Sequence, residues 1–258
     1  MLLADPARAP QAEEGLQAAR EALALARRLG QDDAAAKAGA WLARHCLHLG
    51  GRFQAALEHA TDILQAEAST APPEVRVQAM CVIALAGCEL SDFERALDAA
   101  QALMGLTSQV TDADTALGAA FSMAACFDRM GDAWQAVRLL SEALAEHAPR
   151  GSDRAVMTAS NAMCAICPRV AHLLRDCGAE TERQELLVRG REAGELALRL
   201  AQAQSNRAYA VAIKINLSEN LIAQQERGAP RQGPGGAGTT RSAAAARGGG
   251  AVCGRRRM

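Results

Sequence analysis

Three stretches decide the fold: RFQAALEHATDIL from Arg52, DFERALDAAQALM from Asp92 and DAWQAVRLLSEAL from Asp132. A fourth, EEGLQAAREALALARRLG from Glu13, aligns with them without gaps. Each carries a small anchoring residue, Gly15, Ala56, Ala96 or Ala136, and the anchors are spaced 41, 40 and 40 residues apart. Four positions later stand Ala19, Ala60, Ala100 and Leu140. Seven and eight positions later stand Ala22-Leu23, Ile63-Leu64, Leu103-Met104 and Ala143-Leu144. Offsets of four, seven and eight form one face of an α-helix. The spacing therefore predicts one buried helical stripe recurring every forty residues or so, the mark of stacked supersecondary units.

Working outward, each of the last three stretches follows a turn and an earlier helix. The turns are Gly50-Gly51, Ser91-Asp92 and Gly131-Asp132. Glycine suits the left-handed residue that ends a helix, and Asp or Ser suits the cap that starts the next. The preceding helices are expected over 34–49, 74–90 and 113–130. Pro72-Pro73 separates the first two hairpins, because proline is tolerated only in a helix's first turn. Pro149, Gly151 and Ser152 do the same after the third.

Composition agrees. Half of the 258 residues are apolar but only 3% are aromatic, so the core must be mostly Ala and Leu. Both are strong helix formers. From Arg227 onward there are seven arginines and no acid, which leaves 21 bases against 29 acids, a net −8, in the first 226 residues. An acidic body argues against nucleic-acid binding by the fold itself. No apolar run is long enough to span a membrane, and MLLADPARAP has no secretory apolar core. The expectation is a reducing cytoplasm with free thiols.

The text GRFQAAL at 51–57 and SDFERAL at 91–97 carries a resemblance. A small residue, one free position, an aromatic, two more residues and then Ala resembles the start of the second helix of a tetratricopeptide repeat. In GDAWQAV at 131–137 the aromatic Trp134 sits one place late. The first helices take the family's large-then-small pair at Leu42-Ala43, Ile83-Ala84 and Met123-Ala124. The family's period is about 34 residues, so these helices or loops are longer. The resemblance covers residues 11–149. Ala-Leu-Arg-rich repeats of this length are also similar in general style to the N-terminal regions of some bacterial diguanylate cyclases, whose C-terminal catalytic domain has no counterpart here.

Beyond 153 the pattern loosens. A long first helix is expected from Asp153 to Asp176, kinked or divided by Pro168. Another helix is expected over 180–202, and a fifth first helix over 206–225 without its partner. The apolar face around Ile213, Leu217 and Leu221 is expected to be exposed, since solenoids end in polar caps and none is visible. From 227 to 258 the text is Gly/Ala/Arg-rich and aperiodic. Two readings stay open there: a disordered basic tail, or text read from a slipped frame of a GC-rich gene. The expected fold is all-α: a lead over 1–10, an α-solenoid of about five tetratricopeptide-like hairpins over 11–226, and a disordered tail over 227–258.

No H-E-x-x-H, G-x-S-x-G, phosphate-loop or dinucleotide glycine pattern is present, and the chain is read as no enzyme and as holding no cofactor or metal. Cys164-Ala165-Ile166-Cys167 is a C-x-x-C within helical text. A redox pair wants a strand-to-helix junction, and His172 and Cys177 make no common zinc spacing with it. Core packing is the reading for this pair, and also for Cys81 and Cys88, seven apart on one helical face. His45, Cys46 and His48 are read as packing or surface residues for want of a third ligand.

The tetratricopeptide resemblance implies a concave wall lined by first helices. Its groove positions carry over to Lys37, Arg44 and His48, then Gln78, Leu85 and Glu89, then Phe121, Asp128 and Arg129. The implied function is binding of a protein or peptide segment in that groove. The alternative is the regulatory front end of a truncated signalling enzyme of the diguanylate cyclase type.

Overall fold

The computed structural model describes residues 9–48, 51–66 and 71–226. Residues 1–8 of the lead, 49–50 at the first turn, 67–70 and the whole 227–258 tail lie outside the described residues. The described chain is all-α: α1 (Ala9–Arg28), α2 (Asp32–His48), α3 (Phe53–Ala66), α4 (Pro73–Glu89), α5 (Phe93–Leu106), α6 (Ala113–Arg129), α7 (Ala133–His147), α8 (Asp153–Asp176), α9 (Glu180–Ala203) and α10 (Arg207–Gln225). A short 3-10 turn, Thr107–Gln109, follows α5.

Helix ends repeat one chemical solution. Gly30, Gly51, Gly131 and Gly178 take the left-handed conformation, and Ser91 and Ser205 adopt it without being glycine. Past each of five such residues a backbone N–H reaches five positions back into the ending helix: Gln31 to Ala26, Asp92 to Gly87, Asp132 to Phe127, Ala179 to Leu174 and Asn206 to Ala201. Side-chain oxygens of Asp92, Asp132 and Asn206 then accept from the N–H three residues on and start the next helix. Local bonds thus set the turn at five of the junctions between helices.

Tertiary packing makes this a solenoid. The even helices α2, α4, α6, α8 and α10 each pack on the next even helix as well as on the odd helices beside them in sequence. Ala56, Ala60, Ala96, Ala100, Ala136 and Leu140 are all fully buried, so the forty-residue stripe is the seam between layers. Small residues let the backbones approach closely: a methyl added at Gly87 would lie 3.1 Å from Ala96 Cβ. Two stripe positions differ from expectation. Ala22 and Met104 are exposed. In α1 the buried set is Leu16, Ala19, Leu23 and Ala26, a single stripe laid on α2.

The C-terminal part departs further from the sequence expectation. Pro168 does not divide α8, which runs unbroken for 24 residues with Pro168 buried inside it. The exposed apolar face of α10 is Val211, Ile215, Leu221 and Ile222, whereas Ile213 is fully buried and Leu217 half-buried. Leu221 is exposed as expected, but Ile213 is not, because α10 packs on both α8 and α9, and that second contact turns Ile213 inward against Met157, Ala197 and Ala201.

Cys164 and Cys167 are buried in this junction and face glycines of α9. A methyl at Gly190 would lie 2.7 Å from Cys167 Cβ and 2.5 Å from Asn220 Nδ2. A methyl at Gly194 would lie 2.6 Å from Cys164 Sγ. The C-x-x-C therefore packs as knobs against a G-x-x-x-G groove one turn long. Burial pushes both thiols up to about 12, where they stay protonated.

Arg183 of α9 is fully buried beside the end of α10. Its guanidinium donates to the carbonyls of Ala223 and Glu226 and to Glu180. A cation on the last carbonyls of a helix satisfies orphan acceptors and complements the dipole. We expect Arg183→Met to cost about 2 kcal/mol, the worth of charged hydrogen bonds. Hydrogen exchange checks it: amides of 222–226 should lose protection before the rest of α10.

Candidate partner-binding face

The helices α2, α4, α6 and α8 each bury a wide face and leave partly exposed stripes, whereas α10 buries only Ile213, Asn220 and Ala223. On α4 the partly exposed residues include Glu74, Gln78, Cys81 and Leu85, with Arg76 and Met80 on another side; on α6 they include Gly118, Phe121 and Ala125; on α8 they include Thr158, Asn161 and Ala165. Each set advances by three or four residues and so lies on one side of its helix. Elements packed directly on each other's flanks occupy the inner side of a bend. The even layer packs this way, so its free stripes line the inner wall.

The sequence-derived groove residues sort into two groups. Glu89 of α4 and Arg129 of α6 form an ion pair at 2.5 Å. Asp128 of α6 takes Arg169 of α8 in a two-pronged pair at 2.9 and 2.6 Å. These three residues are bonded between repeats. Such exposed pairs add little stability singly, about 0–1 kcal/mol, but they fix register between neighbours. Gln78, Leu85 and Phe121 are half-buried on the stripes of α4 and α6, and Lys37, Arg44 and His48 are exposed on α2.

The α2 stripe has its own character. Trp41 is 40% exposed. It stacks on His45 with ring centroids 3.6 Å apart. Arg154, at the start of α8, acts as a like charge on Arg44, His45 and His48. Neither Trp41 nor Arg154 was picked from the sequence. Trp41 aligns with Val82 and Ser122, which are buried, and Arg154 lies 110 residues beyond Arg44 in the sequence.

His48 keeps much of its surface in solvent, yet its imidazolium is disfavoured down to a pKa of about 4, first by desolvation within the wall and then by Arg44, Arg154 and His45. A folded pKa below the unfolded one means the unfolded state binds protons first as pH falls. This contribution is full above about pH 6.5 and is lost as pH drops toward 4. We expect the melting temperature to fall between pH 7 and 5, and His48→Gln to flatten that slope in a thermal-melt series.

Cys88 and Cys126 lie one repeat apart with their sulfurs at 3.3 Å, and Cys126 Sγ also meets the Ala84 carbonyl at 3.4 Å. Both are buried free thiols of the inner layer. Among the described residues no three His, Cys, Asp or Glu side chains converge as a metal site, and no helix is long and apolar enough to cross a membrane.

No family model matches the chain. No curated protein matches it either, so neither the tetratricopeptide family nor the diguanylate cyclase regulators gain support from that direction. Among solved structures, a de novo designed helical repeat protein is similar over 84% of this chain and 91% of its own, at 17% identity and a TM-score of 0.30. The helical-repeat fold itself is read from the helix packing described above.

Proposed function

We propose that the chain is a non-enzymatic protein-binding scaffold that takes a segment of a partner protein along the inner stripes of α2, α4, α6 and α8. The observation that carries this reading is the even-helix layer itself, whose helices pack on one another and leave adjacent, partly exposed stripes with Leu85 and Phe121 at their centre. Half-buried apolar residues on a fixed wall cost little to organise and lose water when covered, which is how helical repeats anchor partner segments. The tetratricopeptide-like turn chemistry supports the same use.

A displayed library of random peptides, selected on the intact protein, tests the proposal. Selected peptides should lose about tenfold or more in affinity when Leu85→Glu and Phe121→Glu are combined. They should bind normally to Asp98→Arg, a change on the odd helix α5. Peptides that ignore the inner-wall pair, or that respond equally to Asp98→Arg, overturn it.

A further inference from the structure

Resting on that reading, we propose that the exposed α2 stripe of Lys37, Trp41, Arg44, His45 and His48 seats an acidic segment of the partner. The residues advance by four, three, one and three positions and so cover one arc of the helix. The acids of α2, Asp32 and Asp33, are confined to its first turn. The positions corresponding to Lys37 and Arg44 are neutral in the next even helices, Gln78 and Leu85 in α4 and Gly118 and Ala125 in α6, whereas that of His48 is Glu89 in α4 and Arg129 in α6. The cations at the first two positions are therefore peculiar to α2 and not a by-product of the repeat.

At neutral pH the cations of this stripe are Lys37 and Arg44, since desolvation and neighbouring cations disfavour the imidazolium of His48, and they stand out from a body of net −8. No acid bears on Arg44 or on His48, whereas Arg154 faces both from α8. Unlike Arg129 and Arg169, which hold carboxylates of neighbouring repeats, Arg44 and Arg154 have no carboxylate partner among the described residues. Like charges gathered on an inner wall repel one another until an anion enters between them. Arginine suits carboxylates by its planar fork. The Trp41 ring, held by its stack on His45, offers a flat apolar contact for the segment's aliphatic stems.

Trp41 also supplies a local probe. The chain has two tryptophans, so a Trp134→Phe background leaves Trp41 as the sole reporter. The full chain is titrated with an oligoglutamate peptide, with oligolysine as control. Expected is a saturable change in Trp41 emission with oligoglutamate alone, weakened about tenfold or more by Arg44→Glu with Arg154→Glu. Circular dichroism confirms that the double variant stays helical, as both sites are exposed, and Lys37→Glu gives a second, milder step. Peptide binding without a Trp41 change would place it on the arginine-rich stretch beyond Arg227 and overturn the proposal. So would equal affinity in the double variant, or an equal response to oligolysine. If library peptides still depend on Leu85 and Phe121 while Trp41 is silent to acids, only this inference fails and the scaffold reading stands.

Discussion

Ala96→Arg is expected to unfold the hairpin formed by α4 and α5. Ala96 is fully buried, and its Cβ already bounds the space beside Gly87 at 3.1 Å. An arginine there must either bury a guanidinium with no partner or push the helices apart, and both belong to the few mechanisms that cost more than about 4 kcal/mol. Against a total stability of about 5–15 kcal/mol, the urea midpoint should drop by a third or more, or the folded baseline should vanish. Glu94→Arg, exposed on the same helix, is the control and should stay within about 0.5 kcal/mol. A midpoint unchanged in Ala96→Arg would mean that the forty-residue seam is misplaced.

Gly194→Val is expected to come next in size. In an ordinary helix interior, replacing Gly by Ala gains about 1 kcal/mol, so a loss on adding side-chain bulk here reports packing and not propensity. The new Cβ would meet Cys164 Sγ at 2.6 Å and Leu217 Cδ2 at 2.7 Å. Overpacking of this kind costs about 1–3 kcal/mol, and two side chains must yield at once. Cys164→Ala in the same chain should recover a good part of the loss, giving a coupling above about 0.5 kcal/mol in a double-mutant cycle. Strict additivity would show that the cysteine pair and the glycine pair do not share a seam.

The hairpins from α2 to α7 were legible because their ends are written in local chemistry. Residues 34–49 were expected as a helix and Asp32–His48 is observed; 74–90 became Pro73–Glu89, and 113–130 became Ala113–Arg129. Caps at Asp92 and Asp132 and the left-handed turns fix such boundaries without tertiary help. The exposure of Ile213 was misjudged since it depends on α10 meeting two helices at once, and periodicity alone does not say which neighbour arrives. Of the kink or division expected at Pro168, the division does not occur: α8 is continuous through the buried proline.

The candidate face was legible in outline only. Sequence alignment placed Glu89, Asp128 and Arg129 toward the groove but did not pair them. A signal was present: Glu89 and Arg129 are opposite charges 40 residues apart, and Asp128 and Arg169 are 41 apart. Opposite charges one period apart on the same face are neighbours in a solenoid. Arg154 left no such trace, because it lies far from Arg44 in sequence and at no multiple of the forty-residue period from it. The G-x-x-x-G of α9 was readable as a close-approach groove, yet nothing in the chain alone said that Cys164 and Cys167 fill it.

The most direct measurement is site-specific photo-crosslinking of a selected peptide. A benzophenone side chain is placed in the intact protein at Phe121, on the inner stripe of α6, or at Trp134, exposed on the odd helix α7. Binding along the inner wall predicts an adduct from position 121 and none from 134. An adduct from 134, or equal yields from both, would contradict it.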